Sequence, residues 1–398
     1  MKRRNGRHIA LVAVLGASII IALAMVERPH LAQQQSPGTA VNNRNYVLSE
    51  LVRPKVEQAW PFVGGGSDWT YAHHAHVTFF KGRFYVIFSN GHEKEDRSGQ
   101  RVMLSTSRDF KTWTQPAPIA EPAIGPNGLP VVFTAAGFHE YQGTLVVYIG
   151  QYEESKANTK LRYITTTDGQ RWTPIKDLGP RMIPNHGPHA TSTGRLIIPS
   201  NISFAYTDDP SGLSGWKTTG IYPKTITDFA DNPDTFKEVG QAMGWKALVC
   251  EGAFYETDDK VLHMGLRAVR GKKPETLWMT ESRDNGVSWS PPYELSNFSS
   301  GSAKFHFGRL PDKRFYFVGS PTGRNPLVIS LSKDGVNFNE HFLLLQNDTE
   351  KKALGDGRDG SVAWGYPHSV LHGGYVYSVV SANKKGIVVT RVAIADLK

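Results

Sequence analysis

Ser282-Arg283-Asp284-Asn285-Gly286-Val287-Ser288-Trp289 decides the fold, because its pattern recurs. Thr166-Thr167-Asp168-Gly169-Gln170-Arg171-Trp172 is the same motif one residue shorter. Ser107-Arg108-Asp109-Phe110-Lys111-Thr112-Trp113 is equally short and lacks the Gly, and Ser332-Lys333-Asp334-Gly335-Val336-Asn337-Phe338 ends in Phe. Each copy follows a short apolar run of strand character. The chemistry is that of a hairpin turn: the Asp carboxylate accepts backbone N–H groups, Gly takes a positive φ, and the aromatic packs between neighbouring sheets. One copy is weak evidence. Four, each after a strand, indicate a repeat architecture in which these Asp and Trp residues are structural.

A second element recurs with it. Residues 84–88, 145–149, 196–198, 261–264, 315–318 and 375–379 are β-rich runs that follow turns. Their spacing of about 50–65 residues is that of a propeller blade. Long helical periodicity is absent. The expected fold is all-β: a six-bladed propeller of four-stranded antiparallel blades. The last blade has three obvious strands, around Ser369, Tyr375 and Val388, and the segment from Tyr46 to Val63 is positioned to supply the fourth. Residues 212–244 and 342–364 are poorly patterned and leave room for a seventh blade.

Composition agrees. The 398 residues include 39 Gly and 24 Pro, spread without a triplet period, so many turns are indicated and collagen is excluded. Hydrophobic residues at 39% and charged residues at 20% exclude a disordered chain. The single Cys, Cys250, excludes a disulfide framework and a Cys-rich metal site. The net charge of +9 first suggests an acidic partner. Four of the 45 cations (Lys2, Arg3, Arg4 and Arg7) precede an uncharged run over residues 9–26, leaving 41 against 36 anions. That mild residual bias is not a nucleic-acid footprint. The basic cluster and apolar run read as a signal peptide or signal anchor over residues 1–32, with Ala22-Leu23-Ala24 as a small-x-small cleavage site. Residues 33–45 read as a linker and 46–398 as the propeller. The expected location is exported, with a membrane contact only through an uncleaved N-terminal segment.

In a propeller the first strand of each blade lines the central channel, so polar residues at its start converge on one mouth. The candidates are His73, His74 and His76, then Pro130, then His186 and His189. Glu251 follows, then Lys304 and His306, and finally Tyr366 and His368. Most titrate or bind anions near neutral pH. Bland alternatives stand beside each: satisfied core histidines, a Glu251–Arg267 ion pair across adjacent strands, a packed Tyr366, and a solvated charged loop over residues 93–97. His74, His76 and His186 or His189 offer imidazoles, but no metal-ligand spacing supports a site. No metal and no cofactor is expected.

The repeated S-x-D-x-G-x-x-W turn on a blade-sized period resembles the Asp-box of the sialidase superfamily, from about Ala72 to Lys398. The resemblance implies a Tyr–Glu nucleophile pair, an Asp acid/base and three Arg on the substrate carboxylate. Cys250-Glu251-Gly252, with Arg267 sixteen residues on, resembles the family's Glu and middle Arg. Tyr366 sits where the family places its Tyr. Arg309 or Arg324 would be the third Arg. Asp96 or Glu95 would be the acid/base, and Asp96 is taken here. The early Arg-Ile-Pro motif is missing. In its place stands Ala72-His73-His74-Ala75-His76-Val77, so one carboxylate-binding Arg is absent.

That His-rich first blade also resembles ulvan lyases and related α-L-rhamnosidases. This resemblance implies a catalytic His73 or His74 and a second His in the next loop, His92, with Arg267 and Tyr366 nearby. His186, His189, Lys304 and His368 would contact substrate in either version. The expected activity is cleavage of a glycosidic bond at an acidic sugar. A His-centred lyase or rhamnosidase is the alternative, and a glycan-binding propeller without catalysis is a third reading. The expected partner is an acidic oligo- or polysaccharide, with no nucleic acid, and the chain is expected to be a monomer.

Overall fold

A computed structural model describes residues 51–64, 68–221, 244, 248–270, 276–301, 303–321, 323–346 and 362–398. The targeting segment and linker expected at residues 1–45 lie outside the described residues. Strand β1 (Val56–Val63) precedes five complete blades. The first is β2 (Tyr71–Phe80), β3 (Arg83–Gly91), β4 (Arg101–Ser107) and β5 (Ala117–Ala120). The second is β6 (Val132–Tyr141), β7 (Thr144–Tyr152), β8 (Lys160–Thr166) and β9 (Lys176–Asp177). The third is β10 (His189–Ala190), β11 (Leu196–Pro199), β12 (Ser203–Thr207) and β13 (Lys217–Gly220). The fourth is β14 (Leu248–Glu256), β15 (Leu262–Arg270), β16 (Thr276–Ser282) and β17 (Tyr293–Ser299). The fifth is β18 (His306–Arg309), β19 (Phe315–Gly319), β20 (Leu327–Ser332) and β21 (Glu340–Leu345). The sixth has β22 (Trp364–His372), β23 (Tyr375–Ala382) and β24 (Gly386–Ala393), and β1 pairs antiparallel with β24 as its fourth strand. The first and last described strands therefore meet in one sheet, which closes the ring.

Six apolar clusters, each shared by two neighbouring blades, hold the ring. Ile387 and Val389 pack with Val77 and Val86 across blades six and one. Val102 meets Val147 between blades one and two, and Tyr148 meets Ile198 between two and three. Phe204 meets Leu266, Tyr255 meets Phe307, and Ile329 meets Val380 across the remaining three junctions. Every blade thus packs directly on the next, and no junction has room for a seventh. The ring has six blades. The poorly patterned stretch near residue 212 contains β13, and residues 222–243 and 347–361 lie outside the described residues.

The turns that revealed the repeat join the third and fourth strands of their blades. Asp168 Oδ1 accepts Gln170 N and Arg171 N at 2.9 and 2.8 Å, and Asp334 Oδ1 accepts Val336 N and Asn337 N at 2.8 Å. A fifth, degenerate copy was not evident in the sequence. In blade three Asp209 Oδ1 accepts Ser211 N at 3.0 Å, and Trp216 Nε1 donates to Gly212 O at 3.0 Å. Its spacing hid it. Each turn also touches the blade before it: Tyr148 Oη donates to Gly212 O at 3.0 Å, and Tyr255 Oη to Gly335 O at 2.6 Å.

Antiparallel connection fixes which mouth carries what. The third-to-fourth turns lie at the end where first strands finish. The starts of first strands, the second-to-third loops and the β23–β24 hairpin share the opposite mouth.

Candidate active site

Three first-strand residues at that opposite mouth have a left-handed backbone. His74, Glu251 and Tyr366 have φ of 53°, 46° and 58°. Each lies where pairing of first with second strand slips, between His73 and His76, between Cys250 and Gly252, and between Gly365 and His368. A β-bulge leaves a residue unpaired and re-aims its side chain. A left-handed conformation in a residue other than Gly costs about 1–3 kcal/mol and persists only where surrounding structure enforces it. Blade two has the same slip, between Ala135 and Phe138, but uses Gly137 at φ 109°. Three blades therefore place a bulky polar side chain at a position that Gly would occupy without strain.

Those side chains meet. Tyr366 Oη donates to Glu251 Oε1, and Arg267 Nη1 donates to Glu251 Oε2 at 2.5 Å and to Tyr366 Oη at 3.1 Å. The His73 ring lies 4.1 Å from that of Tyr366, and the His74 ring 5.3 Å. Lys304 Nζ and Arg324 Cζ stand 5.2 and 5.3 Å from the Tyr366 ring centroid. Beside this group His74 Nε2 pairs with Glu95 Oε1 at 2.9 Å, and Lys384 Nζ donates to Glu95 Oε2. His74 Nδ1 faces Ser89 Oγ at 3.1 Å, and His73 Nδ1 faces Ser381 Oγ at 2.6 Å.

Electrostatics assign protons. Burial pushes the Tyr366 phenol well above its ordinary value, and the Glu251 charge adds to this against Arg267. Burial alone would raise Glu251, but the charge and hydrogen bond of Arg267 and the Tyr366 hydrogen bond hold it low. The pair is thus a protonated phenol against an ionised carboxylate. Burial would likewise raise Glu95, yet the hydrogen bond and charge of His74, with the charge of Lys384, hold it well below the usual range. Burial brings Lys304 down to about 7, and its ammonium donates to Asn185 O. Burial and the His74 charge keep His73 neutral.

The candidates expected from sequence divide. Tyr366, Glu251, Arg267, His73, His74 and Lys304 come together. Asp96 instead accepts Tyr152 Oη at 2.5 Å and pairs with Lys156 Nζ at 2.6 Å, both from blade two, while its neighbour Glu95 reaches His74. His92 is exposed, bonded to Asp68 O at 2.8 Å, and its ring lies tilted against that of Trp69 with centroids 4.1 Å apart. Arg309 is corrected: it pairs with Asp258 Oδ1 at 2.7 Å, in the turn after β14, and so lies at the mouth opposite Glu251. Arg324 holds the position at Tyr366. Lys384 was missed, because nothing in its hairpin sequence points to a site. His186, His189 and His368 lie deeper, with His306 and His76. Among the described residues, two groups offer metal-ligand atoms within 4.8 Å of one another, His186–His306–His368 and His73–His74–Glu95. In the second group, Glu95 is already engaged by His74 and Lys384.

The family model described as a BNR repeat-like domain matches residues 82–389, well over half of the chain. No curated protein matches. Among solved structures, a protein of unknown function from Dyadobacter fermentans aligns at 16% identity and TM-score 0.60, over 85% of this chain and 99% of that one. The Trypanosoma rangeli sialidase in complex with sialic acid aligns at 14% identity and TM-score 0.59, over 87% of this chain and 60% of that one. The NanB sialidase of Streptococcus pneumoniae aligns at 13% identity and TM-score 0.59, over 85% and 71%. At such identities the likeness establishes the propeller and leaves the chemistry to the site.

Proposed function

Because the chain belongs to the BNR repeat-like family of sialidase-type propellers, we propose that it is a glycoside hydrolase cleaving at an acidic sugar with Tyr366 as nucleophile. One observation carries the reading: Tyr366 and Glu251, both held in left-handed bulges, share a hydrogen bond across the channel. A phenol raised by burial attacks poorly unless a base takes its proton as it attacks. Glu251, kept ionised by Arg267, is that base.

The step balances as follows. Tyr366 Oη bonds to the anomeric carbon, its proton passes to Glu251, and the glycosidic C–O bond breaks. The leaving oxygen takes a proton through Glu95, supplied by a protonated His74 in contact with it. Water then attacks the anomeric carbon, gives its proton to the Glu95–His74 pair, and the Tyr366–carbon bond breaks with return of the proton from Glu251. Two displacements retain configuration. Arg324 and Lys304 favour an anionic sugar, since among the described residues neither is paired with a carboxylate. The basic N-terminal residues and the apolar run after them support export, and an exported monomer acting on acidic oligo- or polysaccharide is the corresponding setting.

A His-centred lyase is the second reading, favoured by the two imidazoles against the Tyr366 ring. Digestion of a panel of acidic glycans separates them. The hydrolase releases reducing ends without ultraviolet absorbance, a lyase yields an absorbing unsaturated uronate, and a glycan-binding propeller does neither. A fluorinated acidic sugar that slows the second displacement should label the peptide containing Tyr366. Turnover without such labelling, or full turnover in Tyr366→Phe, would remove Tyr366 as nucleophile.

A further inference from the structure

Below the Tyr366 site, four imidazoles from three blades face one another. His186 and His189 come from blade three, His306 from blade five and His368 from blade six. Ring-centroid distances are 4.6 Å for His306–His368, 4.9 Å for His186–His306 and 5.0 Å for His189–His306. The others are 5.8 Å for His186–His368, and 6.5 Å for His186–His189 and His189–His368. Four imidazoles bound tetrahedrally at Zn–N of about 2.0–2.1 Å have centroids about 5 Å apart and ligand nitrogens about 3.3 Å apart. His306 Nε2 and His189 Nε2 already stand 3.3 Å apart.

The tautomers point the same way. His186 Nε2 faces Phe305 O at 2.9 Å, so this nitrogen carries the hydrogen and Nδ1 the lone pair. That Nδ1 is fully buried and has no hydrogen-bond partner among the described residues. A buried polar atom left unpaired is costly. His306 Nδ1 is held by Ser369 Oγ at 2.7 Å, which orients the ring and directs Nε2 toward the cluster. A hydrogen bond on one imidazole nitrogen that fixes the other for a metal is the usual outer-shell arrangement. The contacts that coordination would replace are long: Val77 N donates to His368 Nδ1 at 3.3 Å, and His189 Nε2 and His306 Nε2 share a hydrogen bond at 3.3 Å.

We infer that His186, His189, His306 and His368 form a binding site for a divalent transition-metal ion of the zinc type, which staples blades three, five and six across the channel. The site is distinct from the proposed catalytic group and does not depend on that reading. Neutral imidazoles suit zinc, and burial holds all four neutral, His189 at about 4. With four protein ligands and no open position, the ion is structural.

The test uses tag-free full-length protein, stripped with a chelator and titrated with cobalt(II) and zinc(II). One equivalent of cobalt should give the intense visible absorption of a four-coordinate ion, and zinc should abolish it. Zinc should also raise the melting temperature. His186→Gln and His306→Gln should each weaken binding about 100-fold or more, while His263→Gln, outside the cluster, should leave it intact. Absence of both the cobalt band and the zinc-dependent melting shift in the wild type would overturn the site. So would a band that survives in both variants. If either variant does not fold, His189→Gln takes its place, and the wild-type titration remains decisive.

Discussion

Tyr366 and Glu251 share a hydrogen bond although blade five separates their strands, β22 and β14. Only the closed ring brings them together, and each is presented by a left-handed bulge. Tyr366→Phe keeps the ring that packs against His73 and removes only the oxygen proposed to react. Turnover should fall by about 10³-fold or more with the fold intact by circular dichroism. Glu251→Gln should cost about 10²–10⁴, the range for a general base. A Tyr366→Phe enzyme with native kcat would refute the assignment.

The proposed mechanism has Glu95 serve the leaving oxygen, and leaving groups differ in how much they need it. Glu95→Gln should lower kcat about 10²–10⁴-fold on a natural glycan. An aryl glycoside whose phenol leaves without protonation should lose far less. Equal losses on both substrates would show that Glu95 only positions His74 and Lys384.

Lys304 gives a stability signature. Its folded pKa is brought from the ordinary 10.5 down to about 7 by burial. Between these values the unfolded chain binds more protons, so stability rises with pH. The cost of burying the charge is therefore present in full below about pH 7 and fades toward pH 10. Lys304→Met should raise the melting temperature relative to wild type most at or below neutral pH. That gain should shrink as pH climbs through the window. A gain independent of pH would mean that Lys304 is neutral throughout.

Much of this was legible in the sequence because it is local. The Asp turns and the β-rich runs repeat within single blades, and each run is indeed a second strand, from β3 to β23. First-strand position alone selected Glu251, Tyr366, His73 and His74. What escaped depends on the closed ring. Arg309 and Arg324 flank the same blade, and only strand direction shows that one lies at the far mouth. Glu95 and Asp96 are adjacent, and the left-handed backbone of Asp96 (φ 64°) accompanies their opposite directions. The four channel histidines come from three blades, so no ligand spacing in the chain could announce them.

The turns also predict how the ring is held. Gly169 has φ +73°, and a Cβ there would run into Tyr85 Oη and lie 2.8 Å from Tyr85 Cζ, in the preceding blade. Tyr85 is fully buried and cannot swing away without disturbing its neighbours. Gly82 has a similar φ, +76°, but a Cβ there would meet nothing within 4 Å. Gly82→Ala should therefore cost about 1 kcal/mol, the backbone penalty alone. Gly169→Ala should cost about 2–4 kcal/mol, since overpacking adds to it. Denaturant titration of both variants isolates the interblade contact as the difference. Gly169 lies at the mouth away from Tyr366, so turnover per folded molecule should match wild type in both. Equal destabilisation by the two variants would mean that the turns rest on their own hydrogen bonds and not on the preceding blade.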